Sequence, residues 1–443
     1  MNRLPRFSAL TLFVAVAVVP RTFAQDADMT LKEAVRSGLD ANRRTAIAEL
    51  ERQKAENSAS PGAAGFLPSL DAYAGFSGSL TSTDQTYLNG ETVSQSGASS
   101  RTFQTGIDLN WNLFNGFGSV AERDRLEGEK KRATLSERQE RESLTLEIAD
   151  VFVQIVRLER LRQVEEEAIQ LSLARRDLAQ ARLETGEGIR FELTTAQVDL
   201  DADSAALLRR DLQLSDARIR LNRLLNRSPL SELSLSGSME IGVEIPSLEE
   251  LNSRMTLQNT GVRAVVIEQE IAEASRRVAV SDRYPDLTLN LGYDFTNSEA
   301  GAGFVTSNQS SGLNYSLTAS LNIFNGFVTK QRIENAELDM RRSELRHAES
   351  ITEAEAVLAR IYEQYRRQEQ LVAFERTRIE GARENLQLAQ DRLELGAVTP
   401  VEVRQAQTGF IEAGSRLTEA EYEKAVLGLS LLQLSGDILR LAE

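Results

Sequence analysis

The side chains able to do chemistry are few and poorly placed for catalysis. His347 is the only histidine, it stands among Arg346 and Glu349 in a helical stretch, and the chain has no cysteine. A nucleophile with its base, or a His/Cys metal cluster, therefore lacks members, so no catalytic residue, metal site or cofactor is expected. Gly116-Phe117-Gly118 lacks phosphate-loop spacing and reads as a strand-to-helix turn. Acidic pairs such as Glu165 and Glu167 form the wet face of a coiled coil. With 66 acids against 51 bases, nucleic acid is not an expected partner.

The elements that must position these residues begin with an address. Arg3 and Arg6 precede the apolar run Ala9 to Val19, and Thr22-Phe23-Ala24 places small residues at the minus-three and minus-one positions of a cleavage site. Residues 1–24 thus read as a secretory signal peptide cut before Gln25. Its loss removes three arginines and no acids, so the mature charge is 48 minus 66, or −18. No later stretch reaches the roughly 20 apolar residues that a spanning helix requires, which excludes a helical inner-membrane protein. With no thiol near the cleavage site for lipidation, membrane attachment must come from the fold itself.

An internal duplication organises the rest. Trp111-Asn112-Leu113-Phe114-Asn115-Gly116-Phe117 is echoed by Leu321-Asn322-Ile323-Phe324-Asn325-Gly326-Phe327, an offset of 210 that also aligns Leu178–Gly186 with Leu388–Gly396. Upstream, an offset of 217 aligns Thr30-Leu31-Lys32-Glu33 with Ser247-Leu248-Glu249-Glu250 and Leu67-Pro68-Ser69-Leu70 with Tyr284-Pro285-Asp286-Leu287. The difference of seven is an insertion between Leu70 and Trp111. Residues 25–227 and 247–443 are the two repeats, and 228–246, carrying Ser-Pro, Ser-Gly and no helical period, links them.

Each repeat reads as helix, two strands, long helix, turn, helix. Thr30 with Glu33 and Ser247 with Glu250 are capping boxes, and Pro61-Gly62 ends the first helix, 30–58. Phe103 to Leu113 alternates strictly between apolar and polar residues, as do Leu287 to Phe295, Leu313 to Ile323 and, more weakly, Leu70 to Phe76. Runs of this length suit tilted transmembrane strands, although a soluble sheet with one wet face has the same pattern. Four strands cannot close a barrel, so copies must supply closure: two give eight strands, three give twelve. Ser119 to Glu184 makes a helix roughly 100 Å long at 1.5 Å per residue. Leu144, Ile148, Val151, Ile155 and Leu158 carry its antiparallel coiled-coil seam. The helices 30–58 and 190–227 together match its length and should stack end to end against it.

These features, in their order and duplication, resemble the TolC-type outer-membrane efflux proteins over nearly the whole mature chain. The resemblance rests on Thr30–Val35, Leu67–Leu70, the paired Phe-Asn-Gly motifs, the duplicated Arg-Leu-Glu-x-Gly turns and Leu221–Asn226. It implies an α+β membrane protein: a homotrimer whose 12-stranded transmembrane β-barrel, four strands per chain, continues into a long periplasmic coiled-coil barrel. It also implies a seat in the outer membrane of a Gram-negative cell, amid its lipid. The partners it implies are a periplasmic adaptor (membrane fusion) protein and an inner-membrane ABC or RND-type transporter, in a tripartite efflux or type I secretion system. Competing readings are a soluble periplasmic coiled-coil scaffold or the adaptor itself.

Residue by residue, the resemblance assigns adaptor docking to the tips Thr185, Gly186, Glu187 and Leu395, Gly396, Ala397, Val398, Thr399, Pro400. The first tip departs from the apolar-Gly-x-x-Thr pattern at Glu187 and Arg190; the second fits it. Glu402 stands where the family carries an acidic ring at the periplasmic entrance, Gln405 replaces the second acid, and Glu192 is the repeat mate of Glu402. Three such carboxylates around a narrow axis would bind cations and oppose anions. Asn115-Gly116 and Asn325-Gly326 are the strand-to-helix turns.

Overall fold

Alternation in the first hairpin becomes strands β1 (Ser69–Thr86) and β2 (Thr92–Asn115), and in the second β3 (Asp286–Ala300) and β4 (Ser307–Ser320). They form one antiparallel sheet in the order β1-β2-β3-β4. The computed structural model describes residues 28–301, 305–395 and 397–443. The expected signal peptide and Gly396 lie outside the described residues. Leu321 and Ile323, expected as strand, fall beyond the end of β4 at Ser320, where the chain bends toward the next helix.

The helical part follows the same order twice. Helices α1 (Leu31–Ala41) and α2 (Arg43–Ser58) precede β1, α3 (Gly118–Thr185) and α4 (Arg190–Leu224) follow β2, α5 (Leu248–Gln258) and α6 (Thr260–Ser281) precede β3, and α7 (Val328–Glu394) and α8 (Pro400–Ser435) follow β4. A short 3-10 helix, Ile438–Ala442, closes the chain.

The single helix expected over 30–58 is broken, and so is its counterpart. Asn42 ends α1 and caps α2: its Oδ1 accepts from the Arg44 amide at 2.9 Å, and its Nδ2 donates to the Leu224 carbonyl at the end of α4 at 2.8 Å. Asn259 does the same between α5 and α6, accepting from Val262 N and donating to the Leu434 carbonyl of α8 at 2.9 Å. The asparagine thus ties the junction of the two helices that share one side of each long helix. The Ser247–Glu250 box is only half made. Ser247 accepts from the Glu250 amide, but the Glu250 carboxylate pairs with Arg254 instead.

The main core lies where α1, the middle of α3, the end of α4, the linker and the end of α8 meet. Leu144, Ile148, Phe152, Ile155, Leu221, Leu225 and Leu429 are buried there, with Leu233 and Met239 from the linker. A helix as long as α3 has only its neighbours to cover it, so apolar burial concentrates at this belt and thins toward the tip.

Candidate functional site

The sheet is built with one apolar and one polar face. Register aligns Leu70 with Leu109, Leu109 with Leu291, and Leu291 with Tyr315; one row on, Ala72, Ile107, Tyr293 and Leu313 follow. Leu109 and Leu291, at the centre of the sheet, are half-buried, while the others stay exposed, Leu70 at 69% and Tyr315 at 79%, so the chain leaves a broad apolar band uncovered. The opposite face carries Asp71 directly across from Asp108, and Tyr73 Oη donates to Asp294 Oδ1 at 2.6 Å. Facing carboxylates repel unless water screens them, so this face is built to be wet. Along β1 to β4 it holds Asp71, Asp108, Asp286 and Asp294 but neither lysine nor arginine. Both edge strands, β1 and β4, have a partner on one side only.

Asn115-Gly116 and Asn325-Gly326 turn strand into long helix in the same way. Asn115 Oδ1 accepts from Ser119 N at 3.0 Å, and Asn325 Oδ1 from Thr329 N at 3.4 Å. Gly116 and Gly326 take φ of 63° and 66°, and the following Phe117 and Phe327 take 65° and 68°. Left-handed phenylalanine is unusual; here its ring packs edge-on against Phe114 or Phe324, at 5.3 and 5.4 Å between centroids. The repeated motif contains both phenylalanines, but nothing in their residue type announces the left-handed backbone.

At the far end, α3 closes on Gly186, whose φ of 79° marks a left-handed helix cap. Glu187 N and Gly188 N both donate to the Arg182 carbonyl, and Thr185 Oγ1 donates to Ala181 O. Arg182 Nη2 reaches Leu393 O at 3.5 Å, which brings the two tips together. In the second tip Ala397 N donates to Arg392 O at 2.8 Å, Leu395 is exposed, and Val398 leads to Thr399 and Pro400, which open α8. Glu402, expected as a pore-facing acid, closes a capping box: its Oε2 accepts from Thr399 N at 2.7 Å and from Thr399 Oγ1 at 2.9 Å. The backbone bond, then the hydroxyl bond, lower the Glu402 pKa below its ordinary value. Gln405 is exposed one turn on, and Glu192 is half-buried in the first turn of α4.

A polar belt just above the tips was not legible as a unit. Arg404 of α8 donates to Asp203 of α4 at 2.7 and 3.0 Å, and Ser172 of α3 donates to Asp203 at 2.5 Å. Buried Gln407 donates to Ala168 O and Ser172 Oγ. Burial would raise the Asp203 pKa, but the bonds from Arg404 and Ser172 outweigh it and hold the carboxyl below its usual range. Nothing in local sequence marks these residues, because the partners of Arg404 lie some 200 positions away. His347 is half-buried on α7, and the described residues hold no group of three His, Cys, Asp or Glu placed for a metal ion. No helix among them is long and apolar enough to cross a membrane.

Compared with known families, residues 35–227 and 251–437 match the family model described as outer membrane efflux protein. The chain belongs to the outer membrane efflux protein family. Membership places it in the outer membrane, extending into the periplasm, and sets aside the soluble scaffold and the adaptor. Solved outer-membrane channels share the fold. The CmeC channel of Campylobacter jejuni has a TM-score of 0.76 at 14% identity, over 98% of this chain and 94% of that one. The open state of the MtrE channel of Neisseria gonorrhoeae gives 0.75 at 16%, over 93% and 90%. VceC of Vibrio cholerae gives 0.73 at 16%, over 92% and 96%. A search among curated protein sequences returns no significant match.

Proposed function

We propose that three copies of this chain close a twelve-stranded barrel above a helical tunnel, forming a passive exit duct of a tripartite efflux or type I secretion system. The two half-paired edges of a sheet with an apolar outer face carry this reading. Open strand edges are not tolerated in lipid, so further copies must pair with β1 and β4. Eight strands would pack their interior solid, whereas twelve leave room for water around the acidic polar face.

The tips Thr185, Gly186, Glu187 and Leu395 to Pro400 are then the docking surface for a periplasmic adaptor, which joins the duct to an ABC or RND-type transporter in the inner membrane. Glu402, Gln405 and Glu192 line the periplasmic entrance. Energy comes from the transporter; the duct supplies passage alone.

The deciding measurement is the mass of the detergent-extracted outer-membrane fraction, taken with electron-microscope images of particle length. Threefold particles with a long stalk are expected; a monomer without a stalk overturns the reading. For the entrance, Glu402→Ala should raise single-channel conductance or weaken block by multivalent cations in planar bilayers. Unchanged behaviour in both removes Glu402 from the entrance and leaves it a helix cap.

A further inference from the structure

Side chains on a strand ordinarily stand away from the sheet. Tyr73 of β1 lies down instead. Its row across the polar face runs Tyr73, Gly106, Asp294, Gly312. The phenol reaches past β2 and donates from Oη to Asp294 Oδ1 on β3, at 2.6 Å. Neighbouring strands lie about 4.8 Å apart, so β1 and β3 are separated by roughly 10 Å, a span that phenol and carboxylate bridge only by running along the wall. Gly106 makes the bed, because a Cβ there would stand 3.0 Å from Tyr73 Cε1 and 2.6 Å from Asp294 Oδ1. From β4, Asn314 Nδ2 donates to Asp294 Oδ2, so both carboxylate oxygens are held. Building on the trimeric reading, we propose that Asp294 parks Tyr73 against the inner wall of the barrel and thereby sets the free bore at that height.

The surroundings of the ring make its position matter. In the rows from Ser69 to Ser77, Tyr73 is the one aromatic side chain on the polar face. Gly75, the next residue on that face along β1, and Gly312, at the end of the row, offer open space: an added Cβ at either would meet nothing within 4 Å. Neither of these neighbours confines the ring, so the bond to Asp294 does. A phenol on a carboxylate is charge-assisted, the stronger class of hydrogen bond. Without it the ring regains the upright rotamers that a strand favours. Three upright rings, one from each copy, would project into the lumen at a single height. Parked, they leave a wall of carboxylates, amides and hydroxyls. Asp294 is thus a positioning residue, and Tyr73 is the group that passing cargo meets.

The chain has no native cysteine, so a single introduced thiol reports passage at a chosen height. Ser316 is on the polar face two rows nearer the helices than Tyr73, and Ser310 is one row nearer the outside. Ser316→Cys and Ser310→Cys are each made alone, and intact cells are labelled from outside with maleimides of graded size. Tyr73→Phe keeps the ring and loses the bond. It should slow the largest maleimide that passes in the parent about tenfold at Ser316→Cys, while the smallest maleimide, and all of them at Ser310→Cys, label as before. Asp294→Asn keeps an acceptor for the phenol and should label as the parent does, whereas Asp294→Ala should act like Tyr73→Phe. Adding Tyr73→Ala to Asp294→Ala should restore the rate, because no ring is left to swing.

Unchanged size dependence at Ser316→Cys in both Tyr73→Phe and Asp294→Ala overturns the proposal while the duct stands. So does a slowing that Tyr73→Ala fails to restore, which would mean a deformed barrel. A monomer by mass overturns the duct and the proposal with it.

Discussion

Replacing Arg404 by methionine keeps the aliphatic stem and removes the guanidinium that joins α8 to α4. The loss is two charge-assisted hydrogen bonds to Asp203, at 2.7 and 3.0 Å. Fully buried bonds of this kind contribute about 1.5–3 kcal/mol each. Here Arg404 keeps a quarter of its side-chain surface in water and Asp203 13%, so screening reduces the pair to about 2 kcal/mol together. That is roughly a thirtyfold rise in local opening. Amide hydrogen exchange on the detergent-solubilised protein should show it in segments 199–207 and 403–411, with the belt around Ile148 to Ile155 unchanged. Asp203→Asn should act alike, and exchanging the two charges should restore protection in part. The pH dependence has a fixed sign. Asp203 is held below its ordinary 3.8, so the contact is fully present above that value and is lost as pH falls through the lower folded value. Tip exchange should then be flat with respect to this contact from about pH 5 to 8 and rise only in stronger acid. If both variants leave tip exchange within about threefold of the parent, or if the belt loosens equally, the reasoning is refuted.

Two further outcomes come from the packing. Asn42→Ala and Asn259→Ala each remove a cap and leave a carbonyl, Leu224 O or Leu434 O, without its donor, so each should cost about 1–3 kcal/mol and lower the thermal midpoint. A loss at one site only would mean that the two junctions are not equivalent in energy. Gly38→Ala would drive its Cβ into Ile148 Cδ1, an overpacking of about 1–3 kcal/mol that Ile148→Val should partly relieve in the same thermal scan.

Periodicity and spacing alone determined most of the strands, the long helices, the turn at Gly186 and the duplication, because each is written in neighbours a few positions apart or in motifs repeated at a fixed offset. The capping boxes show the limit of that legibility. Thr30–Glu33 forms as read, Ser247–Glu250 forms by half because Arg254 competes for its carboxylate, and Thr399–Glu402 went unseen because family likeness pointed to the pore instead. Asn42 and Asn259 read as ordinary helical residues, since what breaks the helix at each is a carbonyl 182 or 175 positions away. The Arg404–Asp203 belt is hidden for the same reason. Short-range order is set by backbone sterics and side-chain period, which a sequence displays residue by residue. Which buried donor meets which acceptor is settled only when distant helices pack, because the cost of leaving either unpaired arises only once the fold has excluded water.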